Sequence, residues 1–304
     1  METPLVSVIV PNYNHEQFLE QRLNSVLKQS FQNFELIILD DCSTDNSKHI
    51  IEAFRTHKKV THIEFNTENS GSPFKQWQKG IAIAKGTYIW IAESDDYCKF
   101  TFLEKVMNKF KLNPNLALVY SRSNKVDEHN NHSEGFWPDQ HSNTRWKSDY
   151  TEHGKKEIET ALKYRNTIPN ASACVFRKSE IKQWHTINEF KYTGDWVFWM
   201  QLIQLGDIAF VSETLNHFRC HVNSTRSPKH KKEELVRFVE YVKSIKVANK
   251  ICKNGNDYRN PKYYWIFKQL KANKISILDL VKQFSILKVL IIPYINYRQR
   301  SIWK

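Results

Sequence analysis

Tyr88-Ile89-Trp90-Ile91-Ala92-Glu93-Ser94-Asp95-Asp96-Tyr97 is the stretch on which the reading of the fold turns. Its first half is a run of aromatic and β-branched residues, the composition of a buried strand, and the run ends in three acids within four positions. Such a strand delivers carboxylates to the edge of a sheet. Clustering Glu93, Asp95 and Asp96 gains nothing for packing, because like charges so close repel unless a cation or a hydrogen-bond donor lies among them. Hard divalent ions such as Mg2+ and Mn2+ take carboxylate oxygens and commonly bind through one or two of them together with substrate phosphates. The stretch therefore reads as a metal and diphosphate site. The alternative is an acidic turn capping a helix that starts near Thr101.

On the N-terminal side, strands and helices alternate. Leu5–Val10 reads as a buried strand, and Glu16–Lys28 carries Phe18, Leu19, Leu23, Val26 and Leu27 at helical spacing. Phe34–Leu39 is a second strand running into Asp40-Asp41, after which Ser43 or Thr44 is placed to cap a helix bearing Ile50, Ile51 and Phe54. Val60–Phe65 is a third strand, and a helix through Trp77, Ile81 and Ala84 is closed by Gly86 before Tyr88. On the C-terminal side, a helix over Thr101–Leu112 ends at Pro114 and a strand over Leu116–Ser121 follows. This alternation predicts an α/β fold with a mainly parallel sheet flanked by helices, in which ligands bind at the carboxyl ends of the strands. Asp40-Asp41 and Asp95-Asp96 then face one crevice. With no glycine-rich phosphate loop and only 8 glycines, phosphate charge has to be neutralised by a metal instead.

Further along, Ser123–Tyr150 is polar and aperiodic, and reads as a long loop over the active-site face. Lys155–Tyr164 reads as a helix, Ala171–Arg177 as a strand, and Asp195–Leu205 as a helix burying Phe198, Trp199, Leu202 and Leu205, with Asp195 in its first turn. Ile208–Val211 and Leu215–His221 are expected as two late strands, and Lys231–Lys253 and Tyr258–Lys271 as basic helices.

The 304 residues, 40% of them hydrophobic, suffice for one large α/β domain and an appendage. Leu5–Val10 is too short for a secretory leader, and Ile286–Ile295, broken by Lys288 and Pro293, falls far below the roughly 20 residues that span a bilayer. Five scattered cysteines without a C-x-x-C pair suggest neither a disulfide framework nor a thiolate zinc site, so a cytoplasmic setting is expected. The net charge of +13 is uneven: up to Pro228 there are 27 Lys and Arg against 27 Asp and Glu, and from Lys229 onward 18 against 5. The expected organisation is a catalytic domain over 1–228, with a nucleotide-binding half of about 1–121 and an acceptor half of about 122–228, then a basic helical extension over 229–304. In that extension Ile277, Leu280, Val281, Phe284, Leu287 and Ile291 fall at helical spacing among Lys282 and Lys288, ahead of Arg298, Arg300 and Lys304. This reads as a peripheral element on an anionic membrane surface, the alternative being a helix packed on the catalytic domain. No nucleic-acid-binding motif is present, so nucleic acid is not expected as a partner.

Three segments together carry a resemblance. Val8-Ile9-Val10-Pro11-Asn12-Tyr13-Asn14 is followed by Asp40-Asp41-Cys42-Ser43-Thr44-Asp45, similar to an Asp-Asp-Gly-Ser-x-Asp motif; Glu93-Ser94-Asp95-Asp96 is similar to Asp-x-Asp-Asp; and Gly194-Asp195-Trp196 is similar to a Glu-Asp segment heading a helix. In this order they resemble the family-2 glycosyltransferases, of the Rossmann-like GT-A fold, over about residues 5–225. The resemblance implies an inverting, non-processive, metal-dependent transferase that takes a nucleotide-sugar, with UDP as the nucleotide, and uses Mn2+ or Mg2+. It implies that Pro11, Tyr13 and Asn14 contact the nucleotide, that Asp41 accepts the uracil ring N–H, and that Lys75 lies near the nucleotide. Asp95 would hold the ribose or the metal, Asp96 would ligate the metal, and His221, in Arg219-Cys220-His221, would approach the metal or diphosphate. Asp195 would be the general base and Trp196 would pack under the acceptor. Read without the family, Tyr13 and Trp196 are core residues, Asp41 and Asp195 are helix-terminal carboxylates, and His221 is structural. Among the departures from the family pattern, Glu93 replaces an Asp and keeps the charge, and Gly194 stands where an acid is usual. The Gln-x-x-Arg-Trp motif of processive synthases is absent, so single-sugar transfer is expected, to a saccharide or lipid-linked saccharide in surface-polysaccharide assembly on the inner leaflet. The rivals are a nucleotidyltransferase, which would need a glycine-rich basic loop where Asn12-Tyr13-Asn14-His15 stands, and a non-catalytic carbohydrate- or membrane-binding protein.

Overall fold

The computed structural model describes residues 3–133, 144–181, 187–221 and 231–253, with 135, 139 and 268 singly. Strand β1 (Val6–Asn12) is buried throughout, and strand alternation sends Val6, Val8 and Val10 to one face of the sheet and Ile9 to the other. It pairs in parallel with β2 (Phe34–Asp40) on one side and β4 (Tyr88–Ile91) on the other, and β3 (Val60–Phe65) adds in parallel beyond β2. Beyond β4 the simple alternation ends. β9 (Cys174–Arg177) runs antiparallel between β4 and β6 (Leu116–Val126), β10 (Asp207–Arg219) lies parallel to β6, and β5 (Tyr97–Cys98) pairs antiparallel with β10. β7 (His132–Ser133) and β8 (Tyr150–His153) join β6 and β10 off this path. The result is the expected α/β architecture, a central sheet parallel through β3, β2, β1 and β4 and mixed beyond, with helices on both faces.

One face packs on α1 (Glu16–Leu27), α2 (Ser47–Ala53) and α4 (Phe102–Leu112) through Leu19, Leu23, Ile51, Phe102 and Val106, all fully buried. Each such side chain contributes about 1.5–3 kcal/mol by leaving water. The other face packs on α3 (Pro73–Ile83), α5 (Gly154–Glu157) with its continuing π-turn Ile158–Leu162, and α6 (Gly194–Ile203). Where β4 begins, Gly86 donates its N–H to Ser7 Oγ at 2.7 Å, and a Cβ there would sit 2.5 Å from the Ser7 nitrogen. Only glycine lets the chain approach β1 that closely.

Helix α6 is apolar all round, and a helix of that kind needs cover on every side. The sheet covers one side and α7 (Lys231–Ile251) packs on it as well. Buried Glu240 of α7 accepts the backbone N–H groups of Lys191, Tyr192 and Thr193 at 2.6, 2.7 and 2.9 Å. The start of the charge-rich segment is thereby tied to the turn that opens α6. No helix among the described residues is long and apolar enough to cross a membrane. The expected helices over 258–271 and from 275 onward, and their membrane-surface reading, lie outside the described residues.

The structure differs from several sequence expectations. Neither Ser43 nor Thr44 caps α2, whose N-cap is Asn46; Ser43 is held back by Asp40, which accepts its N–H and its hydroxyl at 2.8 and 2.6 Å. The stretch 123–126 is the end of β6 and not a loop, because it stays paired with β10. The two late strands are one, β10, whose irregular register between Val211 and Asn216 breaks the hydrophobic pattern in sequence. Leu205 lies beyond the end of α6 and is 63% exposed.

Candidate active site

The carboxyl ends of β1 and β2 are locked together by polar side chains. Asn12 donates to Asp40 Oδ2 at 2.8 Å, and Asn14, at φ 55°, accepts the Thr44 N–H at 2.8 Å and donates its own N–H to Ser43 Oγ at 2.9 Å. Asn14 therefore holds two loops in register, a task that suits a residue tolerant of the left-handed region. Asp41 is buried, and its Oδ1 accepts from Asn66 Nδ2, the Ser70 N–H and Gln76 Nε2 at 2.6, 2.9 and 2.8 Å. Its Oδ2 accepts from Ser70 Oγ at 2.8 Å. The carboxylate is thus oriented by the loop before α3 and by α3 itself, and it does not cap α2. Lys75 donates to the Ser70 carbonyl at 2.9 Å and braces the same loop. Pro11 is buried within β1, whereas Tyr13, just past the strand, is 45% exposed and so is not the core residue of the alternative reading.

At the end of β4 the three acids separate into different environments. Trp77 Nε1 donates to Glu93 Oε1 at 2.8 Å, yet burial and then the charge of Asp95 push the Glu93 carboxyl up to about 8. Asp96 points into the protein: it is 1% exposed, accepts the Arg219 N–H at 2.8 Å, and lies 4.0 Å from the buried Arg22 guanidinium. Burial and Asp95 push it up to about 7 against the pull of Arg22. Asp95 alone is held below the ordinary carboxylate range, because the hydrogen bond from His221 and the charges of His15 and His221 outweigh its burial. The repulsion expected of this cluster is relieved by leaving one acid charged and two prone to protonation.

Asp95 Oδ2 lies 3.1 Å from His221 Nε2, and the His221 ring meets the His15 ring edge-on at a centroid distance of 5.3 Å. One ligand atom from each of His15, Asp95 and His221 lies within 4.8 Å of the other two. Neutral imidazoles and a carboxylate are donors a divalent first-row ion accepts, so these residues fit the metal that the fold family implies. Asp96 stands outside this group, contrary to the sequence expectation, because its oxygens face Arg219 and Arg22. Arg219 fixes the whole arrangement. Buried against Phe18, it donates from Nε to the Asp95 carbonyl at 2.8 Å, from Nη1 to the Asp127 carbonyl at 2.6 Å, and from Nη2 to Gln21 and Asn130 at 2.8 Å each.

Asp195 sits in the first turn of α6 and accepts from Asn166 Nδ2 at 2.9 Å. Gly194 before it has a steric cause: a Cβ there would lie 2.5 Å from Phe74 Cε2, so the acid usual at this place has no room. Phe74 and Trp77 are one turn apart on α3, about 5–6 Å, and the first touches Gly194 while the second holds Glu93. Helix α3 thus joins the Asp195 turn to the acidic cluster. Trp196 does not face an acceptor. It is 2% exposed, with Nε1 donating to the Leu162 carbonyl at 2.7 Å and its ring against Tyr241.

Sequence reasoning missed His15, Trp77, Asn166 and Arg219 as parts of this site. His15 could have been found, since it lies just past the carboxyl end of β1, as Asp41 does past β2, and so belongs to the same crevice mouth. The others declare themselves only through contacts across the fold.

Residues 7–182 match the sequence model of Glycosyl transferase family 2. The chain belongs to that family. TuaG of Bacillus subtilis (strain 168), a glycosyltransferase named for teichuronic acid biosynthesis, is 29% identical over 237 residues, 78% of this chain and 87% of that protein. The poly(ribitol-phosphate) beta-N-acetylglucosaminyltransferase TarS of Staphylococcus aureus (strain Mu50) is 41% identical over 95 residues, 30% of this chain and 16% of that one. The crystal structure of S. aureus TarS 1–349 with UDP has a TM-score of 0.61 at 20% identity, covering 91% of this chain and 77% of that one. The same fragment with UDP-GlcNAc gives 0.57 at 19% identity over 81% and 70%. At such identities the likeness is one of fold. The family and its named relatives make the protein a glycosyltransferase.

Proposed function

We propose that this glycosyltransferase moves a single sugar, with inversion, from a UDP-sugar to a hydroxyl of a saccharide or lipid-linked saccharide acceptor at the inner membrane surface. The observations that support the reading are an oriented buried carboxylate at Asp41, an Asp95–His221 pair just past β4, and a carboxylate at Asp195 in the turn that α3 ties to the acidic cluster through Phe74 and Trp77. UDP and UDP-GlcNAc bound to the TarS fragment support a nucleotide-sugar donor, and the names of TuaG and TarS support an acceptor in cell-surface polymer assembly.

Exposed Tyr13 would give the base an aromatic face, while Asp41 would accept the uracil ring N–H and so disfavour bases without a facing donor. Among the described residues Asp41 Oδ2 has one donor, Ser70 Oγ, and an oxygen with one donor keeps acceptor capacity for this. Asp95 and His221 would hold Mn2+ or Mg2+, which supplies Lewis-acid stabilisation to the departing diphosphate. Asp96, buried by Arg219 and Arg22, would brace this turn without touching the ion. Asp195, oriented by Asn166, would take the proton of the acceptor hydroxyl as its oxygen attacks the anomeric carbon.

The test is to measure nucleoside diphosphate release from UDP-, GDP- and dTDP-sugars in the presence of bacterial membrane extract, with Mn2+ or with a chelator. Release from a UDP-sugar that chelation abolishes supports the reading. Release only from a GDP- or dTDP-sugar, or release indifferent to chelation, contradicts it.

A further inference from the structure

His15 stands at the N-cap of α1, where Ser, Thr, Asp and Asn are preferred because their short side chains accept the free N–H groups of the first turn. It makes no such bond, and Asp45 from the neighbouring loop accepts the Glu16 N–H instead, at 2.9 Å. Capping has been handed to another residue, and the His15 ring is turned across the crevice toward Asp95. Its Nδ1 lies 2.8 Å from Ser94 Oγ, so the ring is anchored by one nitrogen and Nε2 is left to act as a ligand. One ligand atom of His15 lies within 4.8 Å of a ligand atom of His221 and of Asp95, so the three side chains meet around one small space.

We propose that His15 is a third protein ligand to the divalent ion, so that His15, Asp95 and His221 form a two-histidine, one-carboxylate set favouring first-row transition ions such as Mn2+ over Mg2+. The inference rests on the metal-dependent reading above and adds a ligand and a preference to it. First-row transition ions accept imidazole nitrogen, Mn2+ least strongly among them, whereas Mg2+ is held through oxygen donors in near-ideal octahedral geometry and gives up water reluctantly. A three-ligand face leaves the remaining positions of an octahedron for diphosphate oxygens and water. Ser94, by holding Nδ1, acts as a positioning residue for the ring.

The experiment uses the full chain with UDP and Mn2+, comparing wild type with His15→Ala, His15→Gln, His221→Ala and Ser94→Ala. Mn2+ affinity is read by electron paramagnetic resonance, and spin-echo modulation reads the imidazole nitrogens on the ion. Wild type is expected to show two coordinated imidazoles and each His15 variant one, with Mn2+ affinity lowered at least about tenfold and Mg2+ affinity changed far less. Ser94→Ala should keep both nitrogens and lose less affinity. Circular dichroism melts identify any variant that fails to fold, and the two His15 substitutions serve as checks on each other. Wild type that binds no Mn2+ even with UDP overturns the metal-dependent reading and this inference together. Wild type that binds Mn2+ through one imidazole, or His15 variants with unchanged affinity and modulation, overturn the inference and leave the reading standing.

Discussion

Replacing Asp195 by Asn separates catalysis from binding. Asp195 accepts the Asn166 amide at Oδ2 (2.9 Å) and the Trp196 N–H at Oδ1 (2.7 Å), and the Asn amide keeps one oxygen, so one of these two donors loses its acceptor. The stability cost is therefore about 1–3 kcal/mol. The rate is another matter, since an amide cannot take the acceptor's proton. A positioned general base is worth about 10²–10⁴ in rate, which is roughly 3–5 kcal/mol of barrier at 1.36 kcal/mol per decade. Donor contacts lie at the ends of β1, β2 and β4, so UDP affinity should stay within about threefold, under roughly 0.7 kcal/mol. The assay pairs initial rates of sugar transfer at saturating donor with calorimetric titration of UDP and a thermal melt of the same preparation. Asp195→Asn protein that transfers sugar at more than about a tenth of the wild-type rate would refute the base assignment. Matching losses of UDP binding and rate would show that Asp195 supports the donor site instead.

Three further outcomes follow from particular contacts. Gly194→Ala, forced against Phe74 Cε2 at 2.5 Å, should lose about 1–3 kcal/mol in chemical denaturation, and Phe74→Leu in the same chain should recover part of that loss. Arg219→Lys removes a planar fan of buried bonds to Asp95, Asp127, Gln21 and Asn130, and should cost about 2–4 kcal/mol while weakening Mn2+ binding; an unchanged denaturation midpoint would contradict this clamp. His217, stacked on Tyr97 and buried, is pushed down from 6.5 to about 4, first by burial and then by His132. The unfolded chain binds its proton more readily, so this contribution is complete above pH 6.5 and fades as pH falls toward 4, by on the order of 2 kcal/mol once the roughly 3 kcal/mol between those two values is reduced for solvent screening of the ring. His217→Phe should flatten that part of the stability–pH curve, and an identical curve would count against the buried neutral ring.

The parts of the fold legible in sequence were those with local causes. β1, β2 and β4 are apolar runs of strand length ending in polar residues, and the helices between them carry regular apolar spacing, so their order and sense follow from alternation alone. β9 was legible as a strand, but its place was not, because its four residues insert antiparallel between two strands that precede it by dozens of positions, a pairing no local pattern records. In the candidate site, Asp41, Asp95, Asp195 and His221 stood out as acids or imidazole in family-like motifs. The orientation of Asp96 could not be read the same way, since the chain leaves the strand at Ala92 and period-two alternation no longer says where a side chain points. Trp196 was misread for a related reason: a helix covered on all sides by the sheet and α7 has no free face on which to present a ring.

The central claim is that this glycosyltransferase reads a uracil nucleotide through Asp41 and holds its diphosphate through a metal at Asp95 and His221. Calorimetric titration of the full chain with UDP, CDP and dTDP, each with and without Mn2+, tests it most directly. The account predicts binding of UDP that depends on Mn2+ and binding of CDP, whose ring N3 carries no hydrogen for Asp41, at least about tenfold weaker, a difference of about 1.4 kcal/mol. Equal affinity for the three nucleotides, or UDP binding untouched by removal of the metal, would contradict it.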